Sequence, residues 1–202
     1  MGEDTHQGRG IYFPDRDLAF LQGAAREFEN YLLSQEIYWP LESQHGRPAL
    51  PFLSMGGLLL AMVRLRAVCR SLSDPDAEAF QRSAARLAAL RARWASVMAR
   101  KIATEARSHL NLWHSFLMDL AESPHSAADR YPQDVRERVL LSLLATQPES
   151  TLLDAAHRRA VAELDRELRL RFREGEFVWD SRLTSVFPRS DFWFLYGQPA
   201  VP

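Results

Sequence analysis

Apolar residues recur at three- and four-residue steps along most of this chain, and that period predicts helices. Leu18, Leu21, Ala25, Phe28 and Leu32 make one such stripe. Residues 17–36 therefore read as an amphipathic helix, capped by Asp15 or Asp17 and ended at Trp39-Pro40. Pro40, Gly46, Pro48 and Pro51 mark residues 40–53 as a loop. Ser54 caps a second helix, 55–72, whose Leu58, Leu59, Leu60, Met62, Val63, Leu65 and Val68 are apolar on most sides. A helix of that kind belongs in the middle of a bundle.

Asp74-Pro75 supplies a cap and a first-turn proline for a third helix, 76–121. It contains neither Pro nor Gly, and unbroken it would span roughly 69 Å. Phe80, Leu87, Leu90, Trp94, Met98, Ile102, Trp113, Phe116 and Leu120 keep a helical period along it. Pro124 and Pro132 make residues 122–132 a connection, followed by a fourth helix at 133–146. Thr151 and Asp154 have capping-box-like spacing before a fifth at 152–174, with Gly175 as its C-cap. Phe177, Val178 and Trp179 suit a short extended piece, and residues 176–202 carry no helical pattern. No strand series alternates with the helices. The expected fold is all-α: an up-and-down bundle of four to five helices with one long member, an arm at 1–14 and a non-helical strap at 176–202.

The strap is aromatic. Seven of the 21 aromatic residues lie in 176–202, more apolar area than a loose tail leaves in water. It either covers its own bundle or docks on a second chain, with Trp193, Phe194 and Tyr196 as contacts.

Composition adds little until placement is considered. The 202 residues are 47% hydrophobic and 25% charged, with net charge −1, as in ordinary globular domains. Lys101 is the only lysine among 25 basic residues. High-GC coding accounts for the count. Position is more informative, because residues 77–114 carry seven basic and two acidic residues. On one continuous helix, Arg82, Arg86, Arg93, Arg100 and Arg107 would share a strip about 60° wide, opposite the apolar side. Residues 79–104 hold no acid, the nearest being Glu78 and Glu105, whereas surface cations usually have acids three or four residues away throughout. The row predicts contact with an acidic protein partner, a second copy of the chain or a nucleic-acid backbone. The chain then reads as a non-enzymatic adaptor or structural subunit of a larger assembly.

The alternative is a hydrolase. Arg107 and His114 have six residues between them, similar to the Arg–His spacing of HEPN-class helical ribonucleases. A His there would move protons while the Arg holds phosphate. A metal-dependent form would use His109, His114 and His157 as ligands. Glu105 stands four residues before His109, and Asp154 three before His157. No phosphate-binding Gly-rich loop follows Gly56-Gly57, and Ser54 has no nucleophile-elbow pattern. No cofactor is expected. The single cysteine, Cys69, reads as a buried inert thiol. The most apolar run, between Arg47 and Arg64, has 16 residues and two prolines, too short to span a membrane. Residues 1–20 lack the apolar segment of a signal peptide. A cytoplasmic protein with no membrane partner is the expectation.

Overall fold

The computed structural model describes residues 11–42 and 49–201. Most of the expected arm, with His6 and His45, lies outside them.

Helix α1, Pro14–Leu33, begins with proline in its first turn, where a missing N–H costs nothing. Ser34 ends it, its N–H bonded to the carbonyls of Asn30 and Tyr31. Trp39 and Leu53 then exchange two backbone hydrogen bonds, at 2.8 and 2.7 Å, closing the loop between them. Helix α2, Met55–Val68, is capped by Ser54 through the Gly57 N–H at 3.1 Å. It lies against α1 and the later helices α4 and α5, so nearly all its surface is buried. Its continuation, Cys69–Ser71, is a 3₁₀ turn on the surface, and Cys69 is exposed rather than buried.

The long third helix is two helices. Helix α3, Asp74–Arg93, is capped by Ser73 rather than Asp74. Helix α4, Ala95–Glu122, follows after a single residue, Trp94, at φ −116° and ψ 30°. No Gly or Pro announces the break, because none is needed. The Trp94 N–H still bonds to Leu90 and Arg91, and its carbonyl accepts from Val97 and Met98. The bend leaves these backbone groups satisfied while sending α3 along α1 and α4 along α5.

Helix α5, Pro124–Ala145, absorbs most of the expected connection. Pro124 occupies its first turn and Pro132 its interior. An internal proline normally breaks a helix by losing one hydrogen bond and crowding the preceding turn. Here the segment is held by burial of Ala127, Tyr131 and Val135, and the Trp179 indole donates to the Pro132 carbonyl at 2.7 Å. Helix α6, Ala155–Arg169, is capped by Asp154, which accepts the His157 N–H at 2.8 Å. It starts after a 3₁₀ turn over Ser150–Leu152 and ends before the expected 174.

The tail holds a two-stranded sheet, a departure from all-α architecture. Strand β1, Phe172–Phe177, pairs antiparallel with β2, Tyr196–Pro199, with an irregularity between Glu174 and Phe177. Gly175 thus lies in a strand and is no helix cap. Gly197 allows the pairing: its φ is +142°, and a Cβ there would meet the Arg173 carbonyl oxygen.

Six α-helices and this small sheet, among the described residues, share one core. Leu21, Phe28, Leu58, Ile102, Trp113, Leu140 and Leu168 are all essentially sealed from water. The tail completes the core with Leu183, Phe187, Phe194 and Leu195. The Tyr131 hydroxyl donates to the Phe194 carbonyl at 2.5 Å, tying α5 to it.

Truncating Phe194, which is fully buried, should cost about 3–5 kcal/mol. For a chain of this size, Phe194→Ala should melt roughly 6–20 °C lower by circular dichroism. A shift within a degree or two would mean the tail is not part of the folded core.

Candidate functional site

Helix α4 presents two different polar surfaces. Its inner one is a ladder of Lys101, Glu105 and His109, spaced four residues apart and all buried. Glu105 is 0% exposed. A carboxylate so placed must be fully hydrogen-bonded to be tolerated. It accepts the N–H groups of Met55 and Gly56 at 2.7 and 2.8 Å, at the positive end of the α2 dipole. Its third partner is His109 Nε2 at 3.1 Å.

His109 Nδ1 meets Glu137 of α5 at 2.5 Å, so the ring is held between two carboxylates. Burial alone would lower its pKa. The hydrogen bonds to Glu105 and Glu137, with their charges, overcome that and raise it to about 9. The ring is therefore an imidazolium at neutral pH and donates from both nitrogens. Burial would raise the Glu137 carboxyl, but the His109 hydrogen bond and charge bring it below its ordinary value. Gly56 is required where it stands, since a Cβ would sit 2.8 Å from Glu105 Oε1.

Lys101 reaches the end of α1. Its ammonium donates to the carbonyls of Ser34 and Glu36 at 3.3 and 2.5 Å and sits 4.0 Å from the Tyr31 ring centre. Burial lowers its pKa, against the pull of Glu36 and Glu105. Three donors radiating from one compact centre suit carbonyls gathered at a helix end better than a planar guanidinium fork does. The chain's one lysine is the cation that is used this way.

Two further ion pairs lock the fold. Arg64 of α2 binds Asp17 of α1 through two hydrogen bonds, at 2.8 and 2.6 Å, and Asp17 also accepts from the Tyr12 hydroxyl. Arg138 of α5 binds Asp165 of α6 at 2.7 and 2.8 Å, its guanidinium 4.6 Å from the Phe194 ring centre. Asp180 accepts the Tyr12 N–H at 3.0 Å, and Arg182 donates to the Tyr12 carbonyl. The strap is thereby joined to the chain entering α1.

The outer surface of α3 and α4 carries the arginines, but not as one row. The break at Trp94 separates Arg82, Arg86 and Arg93 from Arg100 and Arg107, so the 60° strip computed for a continuous helix does not exist. Arg82 pairs with Glu78 at 3.1 Å. Arg93 pairs with Glu29 of α1 at 3.3 Å and stands 5.4 Å from the Trp94 ring centre. Acids of the chain thus answer two of the five. Arg86, Arg100 and Arg107 are exposed, and among the described residues no carboxylate pairs with them. Arg107 donates to Thr104 Oγ1 at 3.4 Å.

The hydrolase residues do not assemble. His109 is committed to two carboxylates inside the core, His114 is exposed on α4, and His157 lies on α6. Among the described residues, no three His, Cys, Asp or Glu side chains are placed to hold a metal, so His109, His114 and His157 do not form a ligand set. Arg107 and His114 are both exposed, with no hydrogen bond joining them among the described residues. An open groove of about 1190 Å³ at the start of α1 is lined by Tyr12, Arg16, Leu50, Arg136 and Trp179, and by none of the arginines or histidines singled out from the sequence.

The aromatic contacts turn inward. Phe194 is fully buried, which overturns its expected availability to a partner. Trp193 is half-buried, edge-on to Phe172 and covered by the Arg169 guanidinium at 3.8 Å. The Tyr196 hydroxyl donates to the Phe187 carbonyl at 2.7 Å.

No helix among the described residues is long and apolar enough to cross a membrane. Comparison with family models, with curated proteins and with solved structures finds no match.

The buried cluster has a pH signature. A pKa raised in the folded state gives stability that is complete below the unfolded value of 6.5 and lost as pH rises through about 9. The effect is on the order of 3 kcal/mol. The stability advantage of wild type over His109→Gln should therefore shrink between pH 6.5 and 9.5, as read from urea unfolding at each pH. A constant difference would refute the imidazolium. Gly56→Ala should destabilise by about 1–3 kcal/mol, although alanine is the better helix former. An unchanged or raised midpoint would show that the cluster gives way freely.

Proposed function

We propose that this chain is a non-enzymatic helical adaptor or structural subunit, and that it contacts its partner through the outer arginines of the α3–α4 unit. One observation carries the reading. Arg86, Arg100 and Arg107 stand in water on the outer side of α3 and α4 without a carboxylate partner among the described residues. Their neighbours Arg82, Arg91 and Arg93 pair with Glu78, Glu149 and Glu29. Exposed cations with no acid of their own are available to acids of another molecule.

The burial of the other polar groups supports the same reading. Glu105, His109, Arg138 and Asp17 are each closed into a hydrogen-bonded set that fixes one helix to the next. A group so engaged holds the scaffold rigid and is not free to exchange protons with a substrate.

Affinity capture from the native host, with nuclease treatment, tests the reading. A partner retained by the wild-type chain should be lost from Arg100→Glu/Arg107→Glu and should also elute at high salt. The melting temperature of this variant should stay close to that of wild type, because exposed charges contribute within about 0.5 kcal/mol. Retention of every partner by the folded variant would remove the arginines from the function.

A further inference from the structure

Resting on the adaptor reading, we infer that the outer ridge of α4 receives an acidic α-helix of a partner protein, with carboxylates at seven-residue spacing. Arg100, Arg107 and His114 are exposed and follow one another every seven residues. That is about 10.5 Å of rise and a drift of only about 20° per step. Between them, on the same side, lie Thr104 and Asn111, both exposed and uncharged. The side chains between the cations are short, so a second helix can come close.

Of the acids of α4, Glu105 faces α2 and is fully buried, Asp119 is paired with Arg130, and Glu122, exposed at the end of the helix, lies on the ridge side one turn beyond Met118. The ridge then turns apolar. Met118, eighteen residues and five turns beyond Arg100, is 46% exposed. At the flank, burial lowers the pKa of His157 of α6, and the nearby Arg107 and Arg158 charges add to that against Asp154.

This arrangement suits a helix better than a nucleic acid. A duplex backbone carries a charge about every 1.7 Å and is held by many cations together. Here two arginines and a histidine stand about 10.5 Å apart along one helix of a chain of net charge −1, and Met118 follows them on the same side. Helices packed at about 20° keep heptad register, so carboxylates seven residues apart meet the three basic groups in turn. Exposed ion pairs change affinity by only about five-fold each. An apolar residue of the partner seated on Met118 therefore supplies much of the affinity, and the charges set register and orientation.

The test uses the full chain and a labelled 21-residue helical peptide with Glu at every seventh position and a Leu placed to meet Met118. Fluorescence anisotropy should show binding at least ten-fold tighter than for a peptide of the same composition with shuffled positions. It should also be at least ten-fold tighter than for a single-stranded 20-nucleotide DNA. Arg100→Glu/Arg107→Glu should weaken binding at least 25-fold, about five-fold for each pair lost, and Met118→Glu should weaken it at least five-fold without changing the melting temperature. Equal binding of the shuffled peptide, tighter binding of the oligonucleotide, or indifference to Met118→Glu would overturn the inference. So would dimerisation of the chain through this face, read as a doubled mass in light scattering that Arg107→Glu abolishes. If the peptide fails while Arg100→Glu/Arg107→Glu still strips a host partner from the chain, the acidic helix is wrong and the adaptor stands. If neither responds, both fall.

Discussion

The Glu105 carboxylate is shut away from water, and a buried anion has to be answered on every side. The answers come from three separate stretches of chain. Two N–H groups at the start of α2 meet it, His109 one turn along α4 meets it, and His109 is held in turn by Glu137 of α5. Removing any one partner would leave charge unpaired in the core, a loss of about 3–5 kcal/mol. The apolar core alone could tolerate small rotations of α4, because leucine side chains repack at modest cost. Hydrogen bonds at 2.5–3.1 Å do not allow that freedom. The cluster therefore sets the angle at which α4 sits.

Much of the architecture was legible in the pattern of residues, and the failures share a cause. The stripes of α1 and α6 and the apolar run of α2 are local signals, and a helix lies at each, with ends three to five residues from the expected ones except at the start of α2. The break at Trp94 carries no local signal. It arises because α3 is drawn onto α1 while α4 is drawn onto α5, and a straight rod could not meet both. Pro132 gave the opposite error. A strong local breaker was overruled by tertiary burial of Tyr131 and Val135 on either side. The β1–β2 pair was hidden because it depends on Gly197, more than twenty residues from the strand it accommodates. The Glu105–His109 spacing was visible in the sequence. Its third member, Glu137, lies 28 residues away from His109 and could not be assigned from spacing.

The arginines show the same division. Sequence identifies which cations lack an acid one turn away, but not which find one across the fold. Arg93 looked unpaired and meets Glu29 of another helix. Arg64, which attracted no notice, turns out to hold α1 and α2 together through Asp17. The lysine is the sharper case. A lone Lys101 among 24 arginines counted toward the basic segment 77–114, and its position on the helix turns it inward. There it serves the carbonyls that end α1. Its neighbour Arg100, one residue and about 100° away, faces water.

That one-residue offset connects the inner and outer halves of α4. Lys101, Glu105 and His109 fall on the buried side, so Arg100, Arg107 and His114 must fall on the exposed side, whatever else packs nearby. A ridge made of long flexible side chains would ordinarily lose entropy and precision when a partner orders it. Here the helix beneath it is pinned at two points, by the imidazolium cluster and by the ammonium at the end of α1. Side-chain freedom remains, but the axis and the rotation of the helix do not need to adjust on contact. Residues that never touch a partner would in this way determine how regularly the outer cations are presented. Arg82 and Arg93 are paired within the chain, so on the α3–α4 surface the unanswered charge is that of Arg86 on α3 and of Arg100 and Arg107 on α4.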